Sequence, residues 1–304
     1  MKKNLVALLL ALGLVASLAG CSEPTQKPIE NSSTPAASET GSGSVESEQG
    51  GEEADLPTIE STVLVDQDGI VVTAQELVED PIWGPGLKLL VENNSDTNQN
   101  IFCDYVVVNN FMFDTLLFSA DVAAGKKANE TLYFSSSTME GAGITTIGDL
   151  SFKFHSSNPE TFETIFTTDE VSLATSASGT FEQTIPDEGK ELYNENGVRI
   201  VGRYVSEDTI WGAGVVLFLE NNSGKDIQVS CDNMSINGFM VTPFFSCLVN
   251  DGRMAVSNIT ILSSDLEANG IESVEDIELA FKGFDPNTFS TVFESSPITF
   301  STAA

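Results

Sequence analysis

The sequence predicts an all-β protein built as two copies of one sandwich module, and three observations predict it. Ile82-Trp83-Gly84-Pro85-Gly86-Leu87-Lys88-Leu89-Leu90-Val91-Glu92-Asn93-Asn94-Ser95 recurs as Ile210-Trp211-Gly212-Ala213-Gly214-Val215-Val216-Leu217-Phe218-Leu219-Glu220-Asn221-Asn222-Ser223, with the chain's two tryptophans 128 residues apart. That period is the size of a whole domain and far above the ~20–50 residues of a solenoid repeat. The segments around both copies alternate apolar and polar residues with period two and are rich in β-branched and aromatic side chains. Turn-forming residues then punctuate them at the spacing of a sandwich.

The elements follow in chain order. Met1-Lys2-Lys3 is a short basic start, followed by an apolar run from Leu5 to Ala19 that ends Leu18-Ala19-Gly20-Cys21. This run has the order of parts of a secretory signal and is short for a membrane span. Its end resembles the lipobox of bacterial lipoproteins. The resemblance implies cleavage before Cys21 (signal peptide 1–20), a diacylglycerol on its sulfur, and a protein held on the extracytoplasmic face of the cell membrane. Acyl chains in a bilayer contribute roughly 0.8 kcal/mol per buried methylene, enough for several chains together to anchor a soluble domain. Residues 21–56 are then the lipidated cysteine and a linker of Ser, Thr, Glu, Pro, Gly and Gln. The linker carries eight acidic residues against Lys27 alone. It has almost nothing to bury and is expected to be disordered, a stalk with a root-mean-square span of ~30 Å.

Repeat 1 covers 57–176, a short linker 177–183, and repeat 2 184–304. Asp66-Gln67-Asp68-Gly69 matches Asn194-Glu195-Asn196-Gly197, and both read as hairpin turns between strands. Leu87, Leu89 and Val91 share one face of the next strand, as do Val215, Leu217 and Leu219. Leu90 and Phe218 are apolar on the opposite face, so this strand is central or lies under the other module. Asn93-Asn94-Ser95-Asp96 and Asn221-Asn222-Ser223-Gly224 end it. Further strands are expected near 70–78, 100–108, 111–118, 128–135, 150–156 and 162–174. Between two of them Ser137-x-x-Glu140 and Ser264-x-x-Glu267 have capping-box spacing, with Gly143 and Gly270 as stops, which predicts one turn of helix. The pattern resembles the small immunoglobulin-like β-sandwich domains found in tandem on lipid-anchored and secreted proteins of Gram-positive bacteria. The resemblance implies two tandem immunoglobulin-like β-sandwich domains and no particular biochemistry.

Charge and side-chain inventory narrow the function. The formal charge is −32; without Lys2 and Lys3 it is −34, from 11 basic and 45 acidic residues. Such a chain is repelled by nucleic acid. Its partners are expected to be the membrane, through the anchor, and an extracellular glycan or protein. Besides Cys21 there are Cys103, Cys231 and Cys247, an odd number that suits buried free thiols, with a Cys231–Cys247 bridge as the alternative. One histidine, His155, is too few for a zinc site or a Ser-His-Asp arrangement. Asp66-x-Asp68-Gly69 begins like a calcium loop but lacks its later ligands. The acidic pairs Glu79-Asp80 and Glu207-Asp208 read as solvated turns. No catalytic residues, metal or cofactor are therefore expected. Trp83 and Trp211 are the candidate ligand-binding residues. Flanking isoleucines favour indoles plugging the ends of the two cores; left exposed, they would stack on a sugar or peptide. The function expected is a non-catalytic binding or accessory module displayed at the cell surface, with a ligand-free spacer as the alternative and a hydrolase a distant third.

Overall fold

The computed structural model describes residues 26–29, 56–113, 118–209 and 211–302. The signal segment, Cys21 and most of the acidic linker lie outside the described residues. The described chain is all-β, with sandwich-like antiparallel sheets and two short helices.

The first strand, β1 (Gln26–Pro28), falls inside the segment expected to be disordered. The first repeat follows as β2 (Thr62–Gln67), β3 (Ile70–Asp80), β4 (Gly84–Asn93), β5 (Gln99–Val108), β6 (Phe111–Phe113), β7 (Ser119–Val122), β8 (Lys127–Tyr133), α1 (Ser136–Gly141), β9 (Asp149–Ser157), β10 (Thr164–Thr167) and β11 (Val171–Ala174). The second follows that order with one added strand, β17: β12 (Lys190–Glu195), β13 (Val198–Thr209), β14 (Gly212–Asn221), β15 (Ile227–Ile236), β16 (Phe239–Met240), β17 (Pro243–Phe244), β18 (Ser246–Val249), β19 (Arg253–Leu262), α2 (Ser263–Ala268), β20 (Asp276–Phe284), β21 (Thr291–Glu294) and β22 (Ile298–Ser301).

Local chemistry accounts for the turns. Asp68-Gly69 and Asn196-Gly197 all have positive φ, the requirement of the two-residue hairpin turn that matches strand twist. Gly143 and Gly270 take the left-handed conformation after α1 and α2, as expected of stops. The caps differ from expectation. Ser135, two residues before the predicted serine, accepts from the Thr138 amide, and α2 starts after Leu262 with no side-chain cap. The preceding strand sets where the first amides fall, and Ser135 is the serine it leaves in reach of them.

In the first repeat a four-stranded sheet, β2-β3-β4-β8, packs on a second sheet built around β5 and β9. Leu87, Leu89 and Val91 point into the core between them, with Phe134, Phe152 and Phe154 fully buried. In the second repeat β12-β13-β14-β19 pack on the sheet of β15 and β20, around Val215, Leu217, Phe281 and Phe300. The two repeats are joined by one parallel pairing, Met254 and Ala255 of β19 against Phe111 and Met112 of β6, which fuses a twelve-stranded sheet across both. The Met254 amide donates to the Asn110 carbonyl at 3.1 Å. Arg253 donates to Asn110 Oδ1 at 2.7 Å and to Glu170 at 2.5 Å. Phe218, apolar on the outer face of its strand, is fully buried against Phe111 at 6.5 Å between ring centroids and belongs to the first repeat's core. That face lies under the other repeat. Leu90, its counterpart, is only half-buried.

Strand β1 adds to the second repeat, not the first. It pairs antiparallel with β13, Gln26 opposite Ser206, Lys27 opposite Val205 and Pro28 opposite Tyr204. Ile29 is buried in the second core, where Gly202 leaves room: a Cβ on that glycine would lie 2.7 Å from Ile29 Cδ1. Composition hid this strand, because a single aliphatic residue among polar ones docks only when a complementary notch exists elsewhere.

Candidate functional site

The two tryptophans occupy equivalent loops, and neither plugs a core. Trp83 is 64% and Trp211 69% exposed, and Ile82 is 82% exposed. The expectation of core packing is thus corrected. The glycines explain why. Gly84 has φ +78° and a Cβ there would fall 2.0 Å from Ser136 Oγ. Gly212, at φ +136°, would place one 2.2 Å from the Ile261 carbonyl. At each loop the chain turns through a glycine seated directly on its neighbours, a place only glycine fits, and the preceding indole lies on the outside of that turn. Asp80 Oδ1 accepts from the Ile82 and Trp83 amides at 2.8 and 2.9 Å, so this acidic residue builds the loop. The Trp83 ring leans on Tyr133, 6.3 Å between centroids. The Trp211 carbonyl accepts from the Ser263 amide at 2.8 Å, tying its loop to α2.

The fold does not bring the tryptophans together. In the first repeat Gln99, at the start of β5, donates to the Asp68 carbonyl in the hairpin turn. β5 therefore runs toward the Trp83 end, and β6 runs back from it. β19 runs from Arg253, opposite Asn221 at the hairpin end, to Leu262, opposite Gly212 beside Trp211. Since β6 and β19 are parallel, the repeats are joined head to toe and the two indoles stand at opposite ends.

Other candidates resolve into structural roles. His155 pairs with Asp104 and stacks on Phe102 at 4.8 Å, both on the strand surface. The Asp68-Gly69 segment is the hairpin turn already described, and among the described residues no group of three His, Cys, Asp or Glu could hold a metal. Cys103, Cys231 and Cys247 are buried thiols. Cys247 lies opposite Val229, so Cys231 is diagonal to it, at a spacing that a disulfide reaches only with backbone movement. Burial, with Asp104 and Asp232 adding repulsion, pushes the Cys103 and Cys231 thiols up to about 12. The cleft between β12 and β21 is lined by Glu191, Glu195 and Glu294, yet Glu191 is on Arg199 at 3.2 Å and Glu294 on Lys282 at 2.8 Å. Two of its three carboxylates are thus committed to ion pairs.

Sequence reasoning placed Asn93 and Asn221 in turns that end the central strands but missed that both are buried. Asn93 donates to the Thr97 and Val122 carbonyls at 2.8 Å each, and Asn221 to Lys225 and Val249 at 2.7 and 2.8 Å. Each also accepts from the amide two residues on, so one side chain holds two loops. The signal was visible as an Asn-Asn-Ser repeated at the end of equivalent strands.

No protein-family model matches the sequence, and none of the curated proteins does. Among solved structures the chain is similar to the crystal structure of the YadV chaperone. Identity is 11% and the TM-score 0.23, over 75% of this chain and 98% of that one.

Proposed function

We propose that the chain is an extracytoplasmic lipoprotein, anchored to the cell membrane through Cys21, that serves as a non-catalytic binding or accessory module at the cell surface. The observation that carries the binding part is the Trp83 loop. An indole and an isoleucine, both costly to leave in water, stand exposed on a turn that Asp80 holds in shape. A rigid exposed aromatic suits stacking on a sugar ring or a peptide side chain. The net charge of −32 favours neutral or cationic partners and disfavours nucleic acid. Three features support anchoring: the basic start, the apolar run and Leu18-Ala19-Gly20-Cys21.

Trp211→Phe leaves Trp83 as the sole indole, and its fluorescence reports a panel of glycans and peptides directly. A saturable change with one ligand class identifies the partner, provided that titration calorimetry of the same ligand shows binding lost in Trp83→Ala. No response across the panel leaves the two repeats as a spacer. Intact mass of the membrane-extracted protein tests the anchor: acylation at Cys21 with residues 1–20 removed is the expected result.

A further inference from the structure

The second repeat carries an apolar tip that the binding reading leaves unused. At the Trp211 end stand Trp211, Phe239, Met240 and Phe244, exposed by 69%, 48%, 64% and 55%. They belong to one built surface. Phe244 sits opposite Thr260 and Gly214 is on that residue's other side. The Thr242 amide donates to Asp265 Oδ2 at 2.9 Å, and the Ser263 amide to the Trp211 carbonyl. In the first repeat the residues matching Phe239 and Met240 are Phe111 and Met112, which the second repeat covers. Among these, only the second repeat's copies face outward.

The docked strand β1 says what lies beside this tip. Because β1 is antiparallel to β13, going from Pro28 back to Gln26 moves from Tyr204 to Ser206, toward Trp211. Cys21 is five residues before Gln26, a reach of at most ~18 Å even when fully extended. Resting on the lipid-anchor reading of Cys21, we infer that the Trp211–Phe239–Met240–Phe244 tip is a membrane-contact surface. It sits in the interfacial zone of the bilayer that holds the anchor, while the Trp83 loop, at the opposite end, faces away. Tryptophan suits that zone, where one side of the ring meets hydrocarbon and its N–H meets water. Asp265 and Glu267 on α2, with Glu275 and Asp276 at the start of β20, put negative charge at the same end. The surface therefore fits a neutral lipid interface better than an anionic one. The short strap also fixes the stance: the second repeat is next to the membrane even though the first follows the anchor in sequence.

The test uses the acylated protein in phosphatidylcholine vesicles whose acyl chains carry bromine, a short-range quencher of indoles. Trp83→Phe and Trp211→Phe each leave one reporter at an exposed position. The expected result is that Trp211 is quenched several-fold more than Trp83, and less when phosphatidylglycerol replaces part of the neutral lipid. Equal or reversed quenching in protein whose mass carries the acyl group overturns the membrane contact and leaves the anchor standing. Absence of the acyl mass overturns both. Gly202→Ala, which crowds Ile29 and copies the alanine at position 74 of the first repeat, is expected to release the strap and level the two signals. A folded Gly202→Ala protein that keeps the full difference removes β1 from the mechanism.

Discussion

At the scale of residues, burial and satisfied polarity decide most of what each side chain does. Asn221 is buried with its donors on two loop carbonyls. Its replacement by alanine strands both acceptors and is expected to cost about 2–4 kcal/mol, whereas Asn222→Ala costs little. Urea unfolding of the two variants checks the contrast. The thiols give a pH effect of defined sign. The thiols of Cys103 and Cys231 are raised from the ordinary cysteine value of 9.0 to about 12 in the folded protein. The unfolded chain therefore releases these protons first, so their contribution is intact below about pH 9 and is lost as pH rises toward 12. In that window each thiol removes about 1.4 kcal/mol of stability per pH unit. Unfolding curves at pH 8 and 10 for the protein and its Cys103→Ala and Cys231→Ala variants measure the effect. Alkylation of the native protein at pH 8 is expected to leave both thiols unmodified.

Elements take their form from local pattern and their neighbours from shape. The hairpins at Asp68-Gly69 and Asn196-Gly197 were legible because only a few residue types accept two successive positive φ values. The core faces of β4 and β14 were legible from period-two alternation. Strand β1 was not, since nothing in Gln26–Ile29 announces a strand without Gly202 beside it. The orientation of the indoles was also hidden. The flanking isoleucines read as core, but both indoles stand on exposed turns whose glycines, Gly84 and Gly212, sit where no Cβ would fit. Phe218 is the element-level test of the join. Phe218→Ala removes a fully buried ring shared with Phe111 and is expected to cost about 3–5 kcal/mol. Leu90→Ala, half-buried at the matching place, costs much less. Calorimetry of Phe218→Ala is expected to separate the unfolding of the two repeats, which the continuous sheet otherwise couples.

On the scale of the whole molecule, the two repeats differ where they would otherwise stack without end. The surface of the second repeat that receives the first includes Val201, Phe218, Met254 and Val256. The same positions of the first repeat hold Thr73, Leu90, Lys127 and Asn129. A head-to-tail contact between copies would be heterologous and would not close, and the polar replacements work against it. Restoring the apolar set with Thr73→Val, Lys127→Met and Asn129→Val is expected to produce concentration-dependent association, which sedimentation velocity would detect; an unchanged sedimentation profile would count against this account.

The sequence by itself determined the duplication, the all-β class, the turns and the inward faces of the central strands. Each of these depends on residues near one another in the chain, or on a comparison of the chain with itself. Tertiary structure alone decided that β19 and β6 join the repeats into one sheet. It also decided that β1 crosses to the second repeat and that the two tryptophans are exposed at opposite ends. Those outcomes rest on the meeting of surfaces distant in sequence: an edge strand with a free row of backbone donors and acceptors, a glycine notch and the isoleucine that fills it. Local preference has no means of recording which of these surfaces come together.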